Sequence, residues 1–130
     1  MGEQDHDRFD IDEFLRDQID TVPHLEALLL LWNSRPKPWP VEHMAKGLFL
    51  APEASKEILD DLVRQGLIVV VSGARDTYHY EPEPNRDELV ASADLTYRRE
   101  LIRVTRLIHS KPSAAVRAFA RAFKLKKDQE

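Results

Sequence analysis

Apolar residues recur at helical spacing along most of the chain and at strand spacing only in its middle. From Asp10, the residues Ile11, Phe14, Leu15 and Ile19 form one stripe, and Asp10 with Glu13 has capping-box spacing, so a first helix is expected there. A helix this short is marginal in water and must pack, on its own domain or on a second copy. Residues 21–33 are the most apolar segment. Leu25, Leu28, Leu29, Leu30, Leu31 and Trp32 run nearly without interruption, which demands a helix covered on more than one side, with Pro23 in its first turn. The loop NSRPKPWP follows, where three prolines forbid a regular helix and Trp39 either packs over the next helix or offers a platform to a ligand.

Val41, Met44, Ala45 and Leu48 sit at i, i+3, i+4 and i+7, predicting a short helix that ends near Phe49. A second helix is expected over residues 52–65, with Pro52 in its first turn, Gly66 as the residue that closes it, and a buried stripe of Ala54, Ile58, Leu62 and Val63. Residues 67–71 are almost wholly β-branched, Ser72, Gly73 and Ala74 supply a turn, and residues 76–80 return. The unit is helix, turn, helix, β-hairpin.

Glu81-Pro82-Glu83-Pro84 is a stiff connector, and Asn85 with Glu88 has capping-box spacing at the start of a helix expected over residues 86–109. Val90, Asp94, Tyr97, Leu101, Val104 and Ile108 alternate spacings of four and three, a heptad seam with one polar break, and Leu95 and Ile102 add a second apolar edge. A helix of about 24 residues spans about 36 Å, more than a small core needs, so part of it should protrude and pair with a second copy. Ser110-Lys111-Pro112 breaks the rod, and a last helix over residues 113–124 would add Phe119 and Phe123 to the same dimer contact.

The order of elements over residues 21–80 resembles the winged helix-turn-helix of bacterial transcriptional regulators, with residues 52–65 as recognition helix and residues 69–80 as wing. The phrase LDDLVRQGLIVV is similar to the leucine, basic or polar residue, Gly, Leu, Ile run that leads into the wing across that superfamily. The resemblance is to small regulators of the multiple-antibiotic-resistance or phenolic-acid type. It implies a mainly α fold with a small β-hairpin wing, divided into an acidic helical arm (1–20), the winged-helix core (21–82) and C-terminal dimerisation helices (83–130). It also implies a homodimer that places two recognition helices about one turn of duplex DNA apart. The same scaffold also mediates protein contacts, so a protein-interaction module is the second reading.

At 130 residues and 42% hydrophobic content the chain suits one compact domain. With no cysteine, disulfides, thiolate zinc sites and thiol nucleophiles are excluded. No apolar run approaches the roughly 18 residues of a membrane span, and the opening MGEQDHDRFD lacks the blocks of a signal peptide, so no membrane partner and a cytoplasmic location are expected. His6, His24, His43, His79 and His109 show no HxxxH or HExxH spacing, so a metal site would have to be assembled by tertiary contacts and none is expected. No phosphate-cradling glycine motif or catalytic signature appears, and neither an enzyme nor a cofactor is expected.

The net charge of −4 hides a polarity along the chain: residues 1–20 hold eight acids against Arg8 and Arg16, whereas residues 96–130 hold ten Lys or Arg against three acids. The basic third can meet phosphate or the acidic arm. The stripe Arg99, Arg103 and Arg106 faces the same choice, with Asp10, Asp12 or Asp17 as acidic partners. A major-groove reader wants basic or amide residues on the first turns of its recognition helix. The outward face expected here carries Glu53, Ser55, Lys56, Glu57, Asp60 and Arg64 and is net negative. Ser55, Lys56 and Arg64, Arg75 at the wing tip, Lys46, and Arg35 and Lys37 of the proline loop are the candidate DNA contacts. Lys56 with Asp60 is equally an i,i+4 ion pair on a solvated face, a contact of about 0.2–0.5 kcal/mol.

Overall fold

The helix at the centre of the molecule begins where Thr21 caps it. In the computed structural model, which describes residues 8–110, Thr21 Oγ1 accepts from the His24 backbone N–H at 3.3 Å and opens α2 (Val22–Asn33). His24, Leu25, Ala27, Leu28, Leu29, Leu31 and Trp32 are all buried, as a helix apolar on several sides must be. Around it stand α1 (Arg8–Gln18), α3 (Val41–Leu48), α4 (Pro52–Arg64), α5 (Pro84–Arg99) and α6 (Leu101–Ser110), with a three-stranded antiparallel sheet at one end. The fold is mainly α with a small β wing.

The sheet has the order β1 (Trp39–Pro40), β3 (Thr77–Tyr80), β2 (Ile68–Val71). The hairpin pairs Ile68 with Tyr80 and Val71 with Thr77. The short β1 was not expected: the proline loop ends by pairing Trp39 with Tyr78 and Pro40 with Thr77, an edge position where proline is tolerated. Trp39 is buried over α3, its ring 4.2 Å from that of His43, and Gly47 makes room for it, since a Cβ there would lie 3.3 Å from the indole. Gly66 closes α4 with φ +76, in the left-handed region where glycine is unstrained.

Two helix starts differ from expectation. In α1, Arg8 and Phe9 are already helical, so Asp10 is inside the helix and does not cap it. Helix α5 is capped by Glu83, whose carboxylate accepts from the backbone N–H groups of Asn85 (3.1 Å) and Arg86 (3.2 Å), while Asp87 accepts from Glu83 N–H at 3.1 Å; Asn85 is inside the helix.

The expected continuous rod is two helices. Glu100, at φ −128 and ψ 51, interrupts it, and its carboxylate takes Arg8 at 2.6 Å and Arg103 at 2.8 Å. The break turns α6 back against α1, so Val90, Val104 and Ile108, expected at a dimer seam, are fully buried in this chain's own core beside Ile11, Phe14 and Leu15. Tyr97 is half-buried and donates to Glu26 at 3.1 Å. Of the described seam residues only Leu101 stays open, at 50% exposure. A heptad stripe has the same spacing whether a twin or the same chain covers it. The polar segment before Arg8 and the last helix with Phe119 and Phe123 lie outside the described residues. The described parts of the arm, the winged-helix core and the C-terminal helices share one hydrophobic cluster. Among the described residues no helix is long and apolar enough to cross a membrane.

Candidate nucleic-acid interface

The buried stripe of α4 is Ser55, Ile58, Leu59 and Leu62, one position round from the expected one, and it leaves Ala54 and Val63 half-buried. Ser55 therefore faces the core and not the outside. Its hydroxyl is fully buried without a hydrogen-bond partner, which removes it from any phosphate contact. The serine replaces an apolar residue in an i, i+3, i+4, i+7 set, a position its polarity disguises.

The outward face of α4 carries Glu53, Lys56, Glu57 and Arg64, with Asp60 half-buried at its edge. Lys56 Nζ donates to Asp60 at 2.8 Å, and the other oxygen of Asp60 accepts from the Tyr78 hydroxyl at 3.1 Å. This coupling shapes all three acidities. The hydrogen bond to Asp60 raises Lys56 above the usual lysine range. Burial opposes ionisation of Asp60, yet the bonds from Lys56 and Tyr78 together hold its carboxyl below its ordinary value. Burial, then the bond to Asp60, pushes Tyr78 up. Arg64, in the last turn, pairs with Asp61 one turn back. Both cations of α4 are thus engaged by acids of the same helix.

The remaining candidates separate into two places. Arg35 folds back on Trp32 and stays exposed: its guanidinium lies 3.4 Å from the Trp32 ring centroid and its Nε donates to the Trp32 carbonyl at 2.6 Å. Lys37, Lys46 and Arg75 instead converge on one shallow recess formed by the proline loop, α3 and the wing, together with Pro38, Pro40, Glu42 and His43. Arg75 also borders a second recess, between wing and α4, which holds Lys56 and Tyr78. Arg75 thus borders both recesses, one with Lys37 and Lys46 and the other with Lys56, the second also lined by Glu42, Glu53 and Asp76. Arg75 lies 3.7 Å from Glu42, both side chains being well exposed. Lys37 and Lys46 have no acid partner among the described residues. His43 joins this group on α3, three residues before Lys46, and was not among the expected contacts; the i, i+3 spacing of His43 and Lys46 was the available signal.

No protein-family model matches the sequence, and no curated protein matches it. Solved structures do. The fold is similar to that of Staphylococcus aureus MepR in a complex with DNA, with a TM-score of 0.57 over 95% of this chain and 91% of that one, at 15% identity. It is also similar to RV1404 from Mycobacterium tuberculosis (0.54, 21% identity, 92% and 80% of the two chains). Sco5413, a MarR family transcriptional regulator from Streptomyces coelicolor, superposes at 0.53 with 18% identity over 93% and 84%. The winged-helix architecture of those proteins is the architecture of this chain.

Proposed function

We propose that the chain is a DNA-binding transcriptional regulator that grips duplex phosphate with the wing-side cations Lys37, Lys46, Arg75 and Lys56. The observation that carries this reading is the convergence of Lys37, Lys46 and Arg75 on one recess beside the wing of a winged helix. Three cations in one concavity suit a track of phosphates, and a protein of the same fold has been solved on DNA. Base reading from α4 is weak in this scheme. Lys56 must leave Asp60 to reach a base or phosphate, and Glu53 and Glu57 repel the backbone, so affinity is dominated by counterion release.

The regulator acts as a homodimer in the cytoplasm, which places two copies of α4 on one face of the duplex. Support for the dimer comes from Phe9, Leu95, Leu101 and Ile102, large apolar side chains that are half or more exposed on α1, α5 and α6. Titration of the full chain with mixed duplex fragments at two salt concentrations tests the function. A regulator binds with an affinity that falls steeply with salt, and an undetectable, salt-independent response removes the reading. The alternative, a protein-interaction module, is favoured by one observation, the acidic outward face of α4 with both its cations already paired. Capture of a protein partner by a chain that ignores DNA would select it.

A further inference from the structure

Asp20, His24 and Asp61 are distant in sequence and meet in space: each offers one ligand atom, and these atoms lie within 4.8 Å of one another. Asp20 sits in the corner between α1 and α2, His24 in the first turn of α2, and Asp61 in the third turn of α4. We propose that these three side chains form a binding site for one divalent first-row transition ion of the Zn²⁺ class, a site independent of any DNA contact.

The imidazole is prepared for it. His24 is 7% exposed, and Nδ1 lies 2.6 Å from Thr21 Oγ1, so the ring is held from behind and Nε2 points at Asp61 Oδ2, 2.8 Å away. An oxygen on one ring nitrogen that orients the other towards a carboxylate is how metal-binding histidines are commonly fixed. The Asp61 carboxylate is oriented in the same way, because Arg64 takes Oδ1 and leaves Oδ2 turned to His24. Asp61 and Asp20 are only half-buried, so water can complete the coordination sphere from the open side.

The donor set selects the ion. One imidazole nitrogen with two carboxylate oxygens suits Zn²⁺ or its first-row neighbours at about 2.0–2.2 Å; Mg²⁺ and Ca²⁺ prefer oxygen alone, and there is no thiolate for a soft ion. On binding, the ring coordinates as the neutral tautomer whose proton sits on Nδ1 and is donated to Thr21 Oγ1; the proton between Nε2 and Oδ2 goes to Nδ1 of a neutral ring or to solvent from an imidazolium, and metal–nitrogen and metal–oxygen bonds replace that contact. The 2.8 Å contact would open by a few tenths of an ångström, and Asp20 would close on the ion. The bonds so formed would lock the C-terminal end of α4 to the corner between α1 and α2.

The test uses the full chain freed of metal by a chelator, with Zn²⁺ and Mg²⁺ as probes in calorimetry and thermal unfolding. One Zn²⁺ per chain is expected, with a rise in Tm of about 5–10 °C at a hundredfold excess over Kd, and no response to Mg²⁺. Asp20→Asn leaves the His24–Asp61 contact in place and should weaken Zn²⁺ at least tenfold. His24→Gln should abolish binding, and if that variant does not fold, Asp20→Asn alone decides. Absence of a Zn²⁺ response in the wild type overturns the site. So does equal Zn²⁺ affinity in wild type and Asp20→Asn, which would place the ion on other histidines.

Discussion

Arg103 of α6 donates from Nη1 to both carboxylate oxygens of Asp12 in α1, at 3.1 and 3.0 Å, and so ties the basic C-terminal third of the chain to its acidic arm. Its Nε simultaneously reaches Glu100 at 2.8 Å, the residue at which the rod breaks. Asp12 is largely buried and Arg103 about one-third exposed, so this bifurcated, charge-assisted contact is partly shielded from water. Asp12→Asn or Arg103→Met should cost about 1–3 kcal/mol, read as a lower urea midpoint with an unchanged slope. Arg103→Lys should recover only part of the loss, because one ammonium cannot hold Asp12 and Glu100 together as Nη1 and Nε do. No loss in Asp12→Asn would show that this pair does not hold α6 on α1.

Ser55→Ala should stabilise the fold by about 1 kcal/mol, since it removes a buried hydroxyl that has no partner and keeps the packing of Cβ. Duplex affinity should be unchanged. A fall in affinity would return Ser55 to the reading face.

Much of this fold was legible in sequence, for reasons that the residues make plain. Pro52 and Gly66 act through backbone geometry alone, and the ends of α4 were placed within a residue. The uninterrupted leucines of α2 could only be a helix buried on several sides. The register of the α4 stripe was harder, because Ser55 reads as polar while packing as a core residue beside Ile58 and Leu59. The break at Glu100 was invisible. Neither glycine nor proline marks it, and it rests on Arg8 and Arg103, one of them 92 positions away. Of the candidate site, the identities of the cations were legible but their grouping was not. Arg35 and Lys37 are two residues apart, yet one stacks on Trp32 and the other enters the recess with Lys46 and Arg75.

The three tyrosines should all resist alkaline ionisation. Burial, then the bond to Asp87, pushes Tyr80 up to about 12; burial and the nearby Glu26 push Tyr97 up to about 12; Tyr78 is raised in the same direction. Each hydroxyl is kept protonated by the fold, so its contribution is fully present below the ordinary value of 10.0 and is lost as pH rises through the folded value. Tyrosinate absorbance should stay flat through pH 10 in the native protein and appear together with loss of helical circular dichroism. A tyrosine that titrates freely at its ordinary value while the helices persist would refute this.

On the acid side the sign reverses. Glu100 is held below the usual glutamate range, chiefly by the hydrogen bond from Arg103 with Arg8 assisting, and the bonds to Asp60 and Asp87 outweigh burial and lower both. Their stabilisation is present above the ordinary values of 4.5 and 3.8 and disappears as pH falls through the depressed folded values. Tm should therefore be level at neutral pH and decline progressively below about pH 4.5, and Glu100→Gln should flatten the first part of that decline. An identical acid profile in Glu100→Gln would exclude Glu100 as a contributor.

The most direct test of the account is the salt slope of duplex affinity in the wild type and in a variant carrying Lys37→Gln, Lys46→Gln and Arg75→Gln together. The loss of three phosphate contacts should reduce the slope of log K against log salt by about 2–3 for each copy bound, with little change in Tm, because all three side chains are exposed. An unchanged slope and affinity in a folded triple variant would contradict the proposed grip on DNA.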